Sequence, residues 1–228
     1  MALQRLARLV LLCAVLAAAS VVSADQLNLG TPQTLQSLLG DGASLHAGDK
    51  LFTDFSYTPS GNAPTADVIL VQGVQIDGNY GLHFFMSPVA GWSASGSQVA
   101  DGALDFKVTA DAGNQIDGVT LSMPGASATG TGAVSIVENV FNQIPGQALA
   151  GPLMVVSTAN YSVLSATAAM DPAQSFLFCF KNVIVQGGGN GTASVSDFYQ
   201  VFHQIPEPAS LSLLVLGGLA IIRRRRTS

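Results

Sequence analysis

The sequence predicts an all-β chain, an antiparallel β-sandwich or jelly roll with one short helix near its start. Three observations predict it. About ten short runs are rich in β-branched and aromatic residues, clusters of Gly, Asn, Asp and Pro separate them, and no room is left for crossover helices. Both ends depart from this pattern and confine the sandwich to residues 25–205.

The N-terminal 24 residues, MALQRLARLVLLCAVLAAASVVSA, place Arg5 and Arg8 before an apolar run from Leu9 to Ala19. They close on Val22-Ser23-Ala24, with small side chains at −3 and −1. These are the parts of a secretory signal peptide, and cleavage is expected between Ala24 and Asp25. The apolar run is too short to span a bilayer. Cys13 is no lipoprotein acceptor, because Leu12 stands where a small residue is needed.

The body that remains is long enough for one domain burying roughly 70% of its unfolded surface. Its basic residues are Lys50, Lys107 and Lys181, against 13 acidic residues, a net of −10. Such a surface repels phosphate backbones and excludes nucleic acid as a partner. After cleavage Cys179 stands alone, so sheet and core must supply the stability without a disulfide. Within SFLFCFKNVIV it reads as a buried structural cysteine.

Along the body, GTPQTLQSLLGDG is the helical stretch. Thr31 caps it, Pro32 takes the first position, Leu35, Leu38 and Leu39 fall on one face, and Gly40 stops it. Strands follow at LFTDFSY (51–57), DVILVQGVQI (67–76), GLHFFM (81–86) and ALDFKVT (103–109). In the last, Leu104, Phe106 and Val108 alternate with Asp105, Lys107 and Thr109, giving one wet face. IDGVTLSM, GAVSIVENVF, GPLMVVS, YSVLSATA, SFLFCFKNVIV and TASVSDFYQVF complete the set. Turns fall at Pro59-Ser60-Gly61-Asn62, Asp77-Gly78-Asn79 and 187–191. Phe176, Phe178 and Phe180 share one face of their strand and Leu177, Cys179 and Val183 the other. That strand is expected to be central and covered on both sides.

Residues 130–145 (GTGAVSIVENVFNQIP) and 191–206 (GTASVSDFYQVFHQIP) align without gaps, with nine identities. Ser135, Val137, Asn139 and Phe141 match Ser196, Phe198, Gln200 and Phe202 in type. A preserved register predicts two equivalent strands with like faces.

No arrangement announces catalysis. His46, His83 and His203 lack metal-ligand spacing, and no HExxH or Cys/His cluster exists. GWSASG is a near miss for G-x-S-x-G, with Ser95 where glycine belongs. No metal or cofactor is expected. The aspartates of DGALD (101–105) and DAGNQID (111–117) suit an oxygen-rich calcium loop but miss the EF-hand spacing. GWSASG reads as a loop into or out of a strand, with Trp92 packed or partly exposed; the alternative, in which Trp92 and Tyr80 stack on a sugar ring, makes Trp92 the candidate glycan contact.

The chain closes on IPEPASLSLLVLGGLAIIRRRRTS. Residues 209–222 carry no charge and would form a helix of ~21 Å, shorter than the ~30 Å hydrocarbon core. Eight Leu, Ile or Val residues hold it in lipid weakly, against Gly217 and Gly218. Arg223, Arg224, Arg225 and Arg226 supply the stop: they stay cytoplasmic, and their long stems snorkel to stretch the span. Pro206, Glu207 and Pro208 form a stiff extended segment just outside the membrane.

Pro-Glu-Pro, a short Leu/Gly-rich helix and terminal arginines, in that order, resemble the PEP-CTERM protein-sorting domain. The resemblance covers the last 23 residues and implies a bacterial exported protein. It also implies recognition at Pro206-Glu207-Pro208 by exosortase, a membrane-embedded cysteine transpeptidase, and removal of the anchor. The body would then be released or attached to the envelope or exopolysaccharide matrix. TLQSLLGDG and GDKLFTDFSY are similar to the Ala/Ser/Thr/Gly-rich sandwiches found upstream of such tails, which carry no known activity. The tail also bears an ice-binding label, but no regular threonine array supports that activity here.

Three organising regions are therefore expected: a signal peptide (1–24), a β-sandwich (25–205) and a sorting and anchor segment (206–228). The leading expectation is a non-enzymatic envelope or matrix protein whose partners are the secretion machinery, exosortase and exopolysaccharide. A secreted carbohydrate-binding module and a hydrolase using body carboxylates are the alternatives.

Overall fold

The six-stranded sheet runs in the order β1 (Gln26–Thr34), β4 (Ile69–Ile76), β5 (Asn79–Met86), β16 (Asp197–Pro206), β8 (Asn114–Ser122), β13 (Ser165–Gln174). A seven-stranded sheet faces it, ordered β12 (Ser162–Val163), β11 (Ala150–Thr158), β10 (Ala133–Phe141), β14 (Phe176–Gln186), β7 (Val99–Ala110), β3 (Lys50–Gly61), β2 (Leu45–Ala47). A small third sheet, β6 (Trp92–Ser95), β15 (Thr192–Val195) and β9 (Ala126–Thr129), packs against one end of β7, β10 and β14. The computed structural model describes residues 26–86, 91–144 and 146–206. Every strand pair among them is antiparallel. The body is thus an all-β sandwich.

Alternation places the core. Leu104, Phe106 and Val108 of β7 are buried while Asp105, Lys107 and Thr109 are half-buried on the other face. Phe52, Phe84, Phe106, Phe198 and Phe202 meet between the large sheets, with centroids 5.9 Å apart for Phe52–Phe106 and 4.8 Å for Phe84–Phe198. Each ring so buried is worth about 1.5–3 kcal/mol. Cys179 is fully buried among them as a free thiol. Burial drives its pKa well above the ordinary thiol value, and the Glu138 charge adds to the rise.

Turn chemistry explains the β4–β5 hairpin. Asp77 and Gly78 both adopt positive φ, 51° and 81°, between the paired residues Ile76 and Asn79. Two left-handed positions match the twist of the strands they join.

Several expectations are corrected. The helix is a single turn, α1 (Leu35–Leu38), capped by Thr34, whose Oγ1 accepts from the Ser37 amide at 3.3 Å. Thr31 and Pro32 belong instead to β1, because Gln33 and Thr34 pair with Val71 and Leu70. Pro59-Ser60-Gly61 continues β3 against Gly102, Asp101 and Ala100 rather than turning. DGALD is likewise inside β7, not a loop.

The two similar segments are not equivalent. Residues 133–141 form one strand in the seven-stranded sheet, whereas the later copy breaks at Ser196 and passes from the small sheet into the six-stranded one. That break shifts the alternation: Val137 is half-buried on the outer face, while Phe198 points into the core at 0% exposure. The local sequence repeats, but the core lies on opposite sides.

The signal peptide, the Ala24–Asp25 junction, Glu207-Pro208, the apolar run 209–222 and Arg223 to Arg226 lie outside the described residues. Among the described residues no helix is long and apolar enough to cross a membrane.

Candidate functional site

The tail grows directly out of a central strand. β16 lies between β5 and β8, but pairing with β5 ends at Phe202–Tyr80, while pairing with β8 continues through Gln204–Ile116, Ile205–Gln115 and Pro206–Asn114. The ladder with β8 slips register between His203 and Gln204. Beyond that point the strand has one neighbour among the described residues, and Ile205 is 39% exposed. Lys50, fully buried at the start of β3, donates to Gln204 Oε1 and, at 2.8 Å, to Asp49 Oδ1. The Gly48-Asp49 turn, with Gly48 at φ 58°, presents that carboxylate.

Trp92 is not a glycan contact. Its ring is 0% exposed, edge-on to Tyr57 at 6.1 Å and tilted against Phe198 at 6.0 Å. The small sheet folds it inward over Gly102, where a β-carbon would stand 3.1 Å from Trp92 Cζ2. Tyr80 is half-buried and lies over Gly48. Neither ring offers a free platform.

The open aromatic surface lies elsewhere. Phe176, Phe178 and Phe180 of β14 project from the outer face of the seven-stranded sheet and remain half-buried. The expectation that β14 is covered on both sides therefore fails: its Leu177–Cys179–Val183 face meets the core, and no described element covers the other. Phe180 stands edge-on to Phe141 of β10 at 5.4 Å, and Lys107 Nζ lies 5.2 Å from the Phe176 ring centre. Phe141 and Phe180 line a pocket of about 390 Å³ with Asn139, Gln143, Ile144 and Gly146. Such a site joins aromatic faces to amide donors and acceptors. The alternation of Phe176, Phe178 and Phe180 was the available sequence signal, but periodicity does not say which face is covered.

The outer face of the six-stranded sheet is more polar. His83 is sandwiched between Tyr199 and Phe85, with centroids at 4.1 and 4.6 Å. Its Nε2 lies 3.4 Å from Asp197 Oδ2 without hydrogen-bond geometry. Burial lowers the His83 pKa, and Asp197 opposes the shift. Further along, His203 Nε2 is 2.8 Å from Thr120 Oγ1, which lies 2.8 Å from Thr167 Oγ1 beside a pocket of about 250 Å³. His46 is exposed on β2. Among the described residues no group of three His, Cys, Asp or Glu is placed to hold a metal.

The family of the PEP-CTERM protein-sorting motif matches residues 204–226. The chain carries a PEP-CTERM protein-sorting motif. The body that precedes the motif is the β-sandwich described above. The PEP-CTERM match begins at Gln204, so its first three positions are the last three residues of β16.

No curated protein matches the chain. Among solved structures, similarity is found to TmCBM61 in complex with beta-1,4-galactotriose (11% identity, 64% of this chain and 88% of that one, TM-score 0.31). The xylan-binding module CBM15 is similar at 10% identity, over 79% and 97%, with TM-score 0.29. A family two carbohydrate esterase from Cellvibrio japonicus is similar at 11% identity, over 68% and 36%, with TM-score 0.26. These likenesses are too distant to transfer a ligand or a reaction to the PEP-CTERM body.

Proposed function

We propose that this chain is a non-enzymatic envelope or matrix protein, delivered by the secretion machinery and processed at its tail by exosortase. The observation that carries the reading is the PEP-CTERM motif at 204–226, continuous with a central strand of the sandwich. In this scheme the signal peptide is removed between Ala24 and Asp25. The apolar run 209–222 then holds the exported body at the membrane while Arg223, Arg224, Arg225 and Arg226 stay inside. The hydrophobic hold is weak, and a potential adds ~2.3 kcal/mol per charge per 100 mV against arginine exit. Pro206-Glu207-Pro208 is read by the exosortase, and the body passes to the envelope or to exopolysaccharide.

The test is the intact mass of the mature protein in culture and envelope fractions, for the wild type and Glu207→Ala. The expected wild-type mass lacks both ends, with or without an attached glycan. Glu207→Ala retains the tail. Identical processing of the two chains would end the sorting reading.

The Phe141–Phe180 pocket favours a second reading, a carbohydrate-binding body. Its aromatic faces suit the C–H face of a sugar ring, and Asn139 and Gln143 suit hydroxyls. Phe180→Ala should abolish retention on polysaccharide while leaving the melting temperature within a few degrees. Retention that survives both Phe180→Ala and Phe141→Ala would remove this site from consideration.

A further inference from the structure

The tail is fused to the sandwich without a spacer, and that geometry bears on how it is read. Pro206 still pairs with Asn114, so Glu207 and Pro208 are all that separates the folded body from the apolar run starting at Ala209. Two extended residues reach about 7 Å. A cleft that takes Pro206-Glu207-Pro208 in extended form meets the rim of the sandwich at once. Gln204, Ile205 and Pro206 are built to yield: β5 no longer pairs with them, they follow a register slip, and Ile205 is 39% exposed. Peeling them from β8 adds three residues, about 10 Å of reach. Pro206 has no amide hydrogen to give back to the ladder.

One side-chain contact opposes that release. Lys50 reaches Gln204 from a fully buried position, steadied by Asp49. We propose that Lys50 and Gln204 are positioning residues for exosortase processing: their contact latches the end of β16 onto the sandwich, and its opening sets the rate at which the motif is read. The proposal rests on the sorting reading and adds to it two residues outside Pro-Glu-Pro. Lys50 acts through Gln204 and does not touch the processed bond.

The experiment follows processing by pulse-chase in a bacterial host carrying an exosortase, using the full chain. Gln204→Ala, which leaves Lys50 its Asp49 partner, should accelerate processing about 3–10-fold, and Lys50→Met should match it. Gln204→Glu, which converts the contact to an ion pair, should slow processing by a similar factor. A cross-strand disulfide in Gln115→Cys/Ile205→Cys should block it until reductant is added. Opposite signs for Ala and Glu at 204 are not expected of a residue that only supports folding, and thermal melting of each variant records stability separately.

Wild-type rates in Gln204→Ala and Gln204→Glu, or normal processing of the oxidised double cysteine, would overturn the latch. Slowing by Gln204→Ala alone would overturn it too, since the enzyme would then be contacting Gln204 itself. Glu207→Ala separates the two levels. If it is processed normally the sorting reading has failed, whereas a block at Glu207 with no effect at 50 or 204 removes the latch and leaves sorting intact.

Discussion

Lys181 Nζ lies 2.6 Å from Glu138 Oε1, directly across the β10–β14 ladder, with both side chains wholly buried. The ammonium also sits 4.3 Å from the Phe106 ring centre, and Glu138 Oε2 has no hydrogen-bond partner among the described residues. Such a pair costs desolvation on both sides and is only partly compensated. Lys181→Met should therefore destabilise the body by about 3–5 kcal/mol, because it strands a buried carboxylate. Lys181→Met with Glu138→Leu should recover most of that loss or exceed the wild type. Denaturant midpoints of the single and double variants decide the matter, and equal losses in both would show that the pair is worth its burial.

Trp92 is the chain's one tryptophan, so its emission reports a single site. A fully buried ring predicts blue-shifted fluorescence that acrylamide quenches poorly until the protein unfolds. Trp92→Ala should cost about 3–5 kcal/mol. Gly102→Ala should cost about 1–3 kcal/mol, since the added carbon meets Tyr57 at 2.9 Å and Trp92 at 3.1 Å. Strong quenching in the native protein would contradict this packing.

Gln200 faces the core at 0% exposure, and neither amide atom has a hydrogen-bond partner among the described residues. An unpaired buried amide costs about 1–3 kcal/mol. Gln200→Met, of similar length, should raise the unfolding free energy by about that amount. A lower melting temperature in this variant would point to bound water satisfying the amide.

His83 titrates below its ordinary value of 6.5 because burial disfavours the imidazolium, against the pull of Asp197. The unfolded chain thus takes its proton first as pH falls. His83 contributes stability that is complete above 6.5 and declines as pH drops from there toward the lower folded value. His83→Phe should flatten the fall in melting temperature between pH 7.5 and 5.5. Asp197→Asn should steepen it. Parallel curves for wild type and His83→Phe would refute the assignment.

Much of the strand pattern was legible in the residues. Leu104, Phe106 and Val108 declare a buried face by alternation alone, and Asp77-Gly78 declares its hairpin by turn chemistry. The helix was misplaced because Thr31 and Pro32 are good helix-start residues by local preference. Long-range pairing of Gln33 and Thr34 with Val71 and Leu70 overrode that preference. The glycan alternative for Trp92 fell for a related reason: a ring in a Gly/Ser-rich stretch is open to either packing or exposure until a second strand folds over it. The Lys50–Gln204 contact spans 154 residues and left no local trace.

By itself the sequence determined the acidic balance and single cysteine of residues 25–205, the alternation of the strands, and the sorting motif. All of these depend on neighbouring residues or on composition. Only the tertiary structure decided which face of β14 meets the core, why two similar segments turn opposite sides inward, and that the sorting motif begins inside a sheet. Those outcomes are set by the pairing of strands distant along the chain. A period of two distinguishes the faces of a strand, but not which of them another sheet will cover.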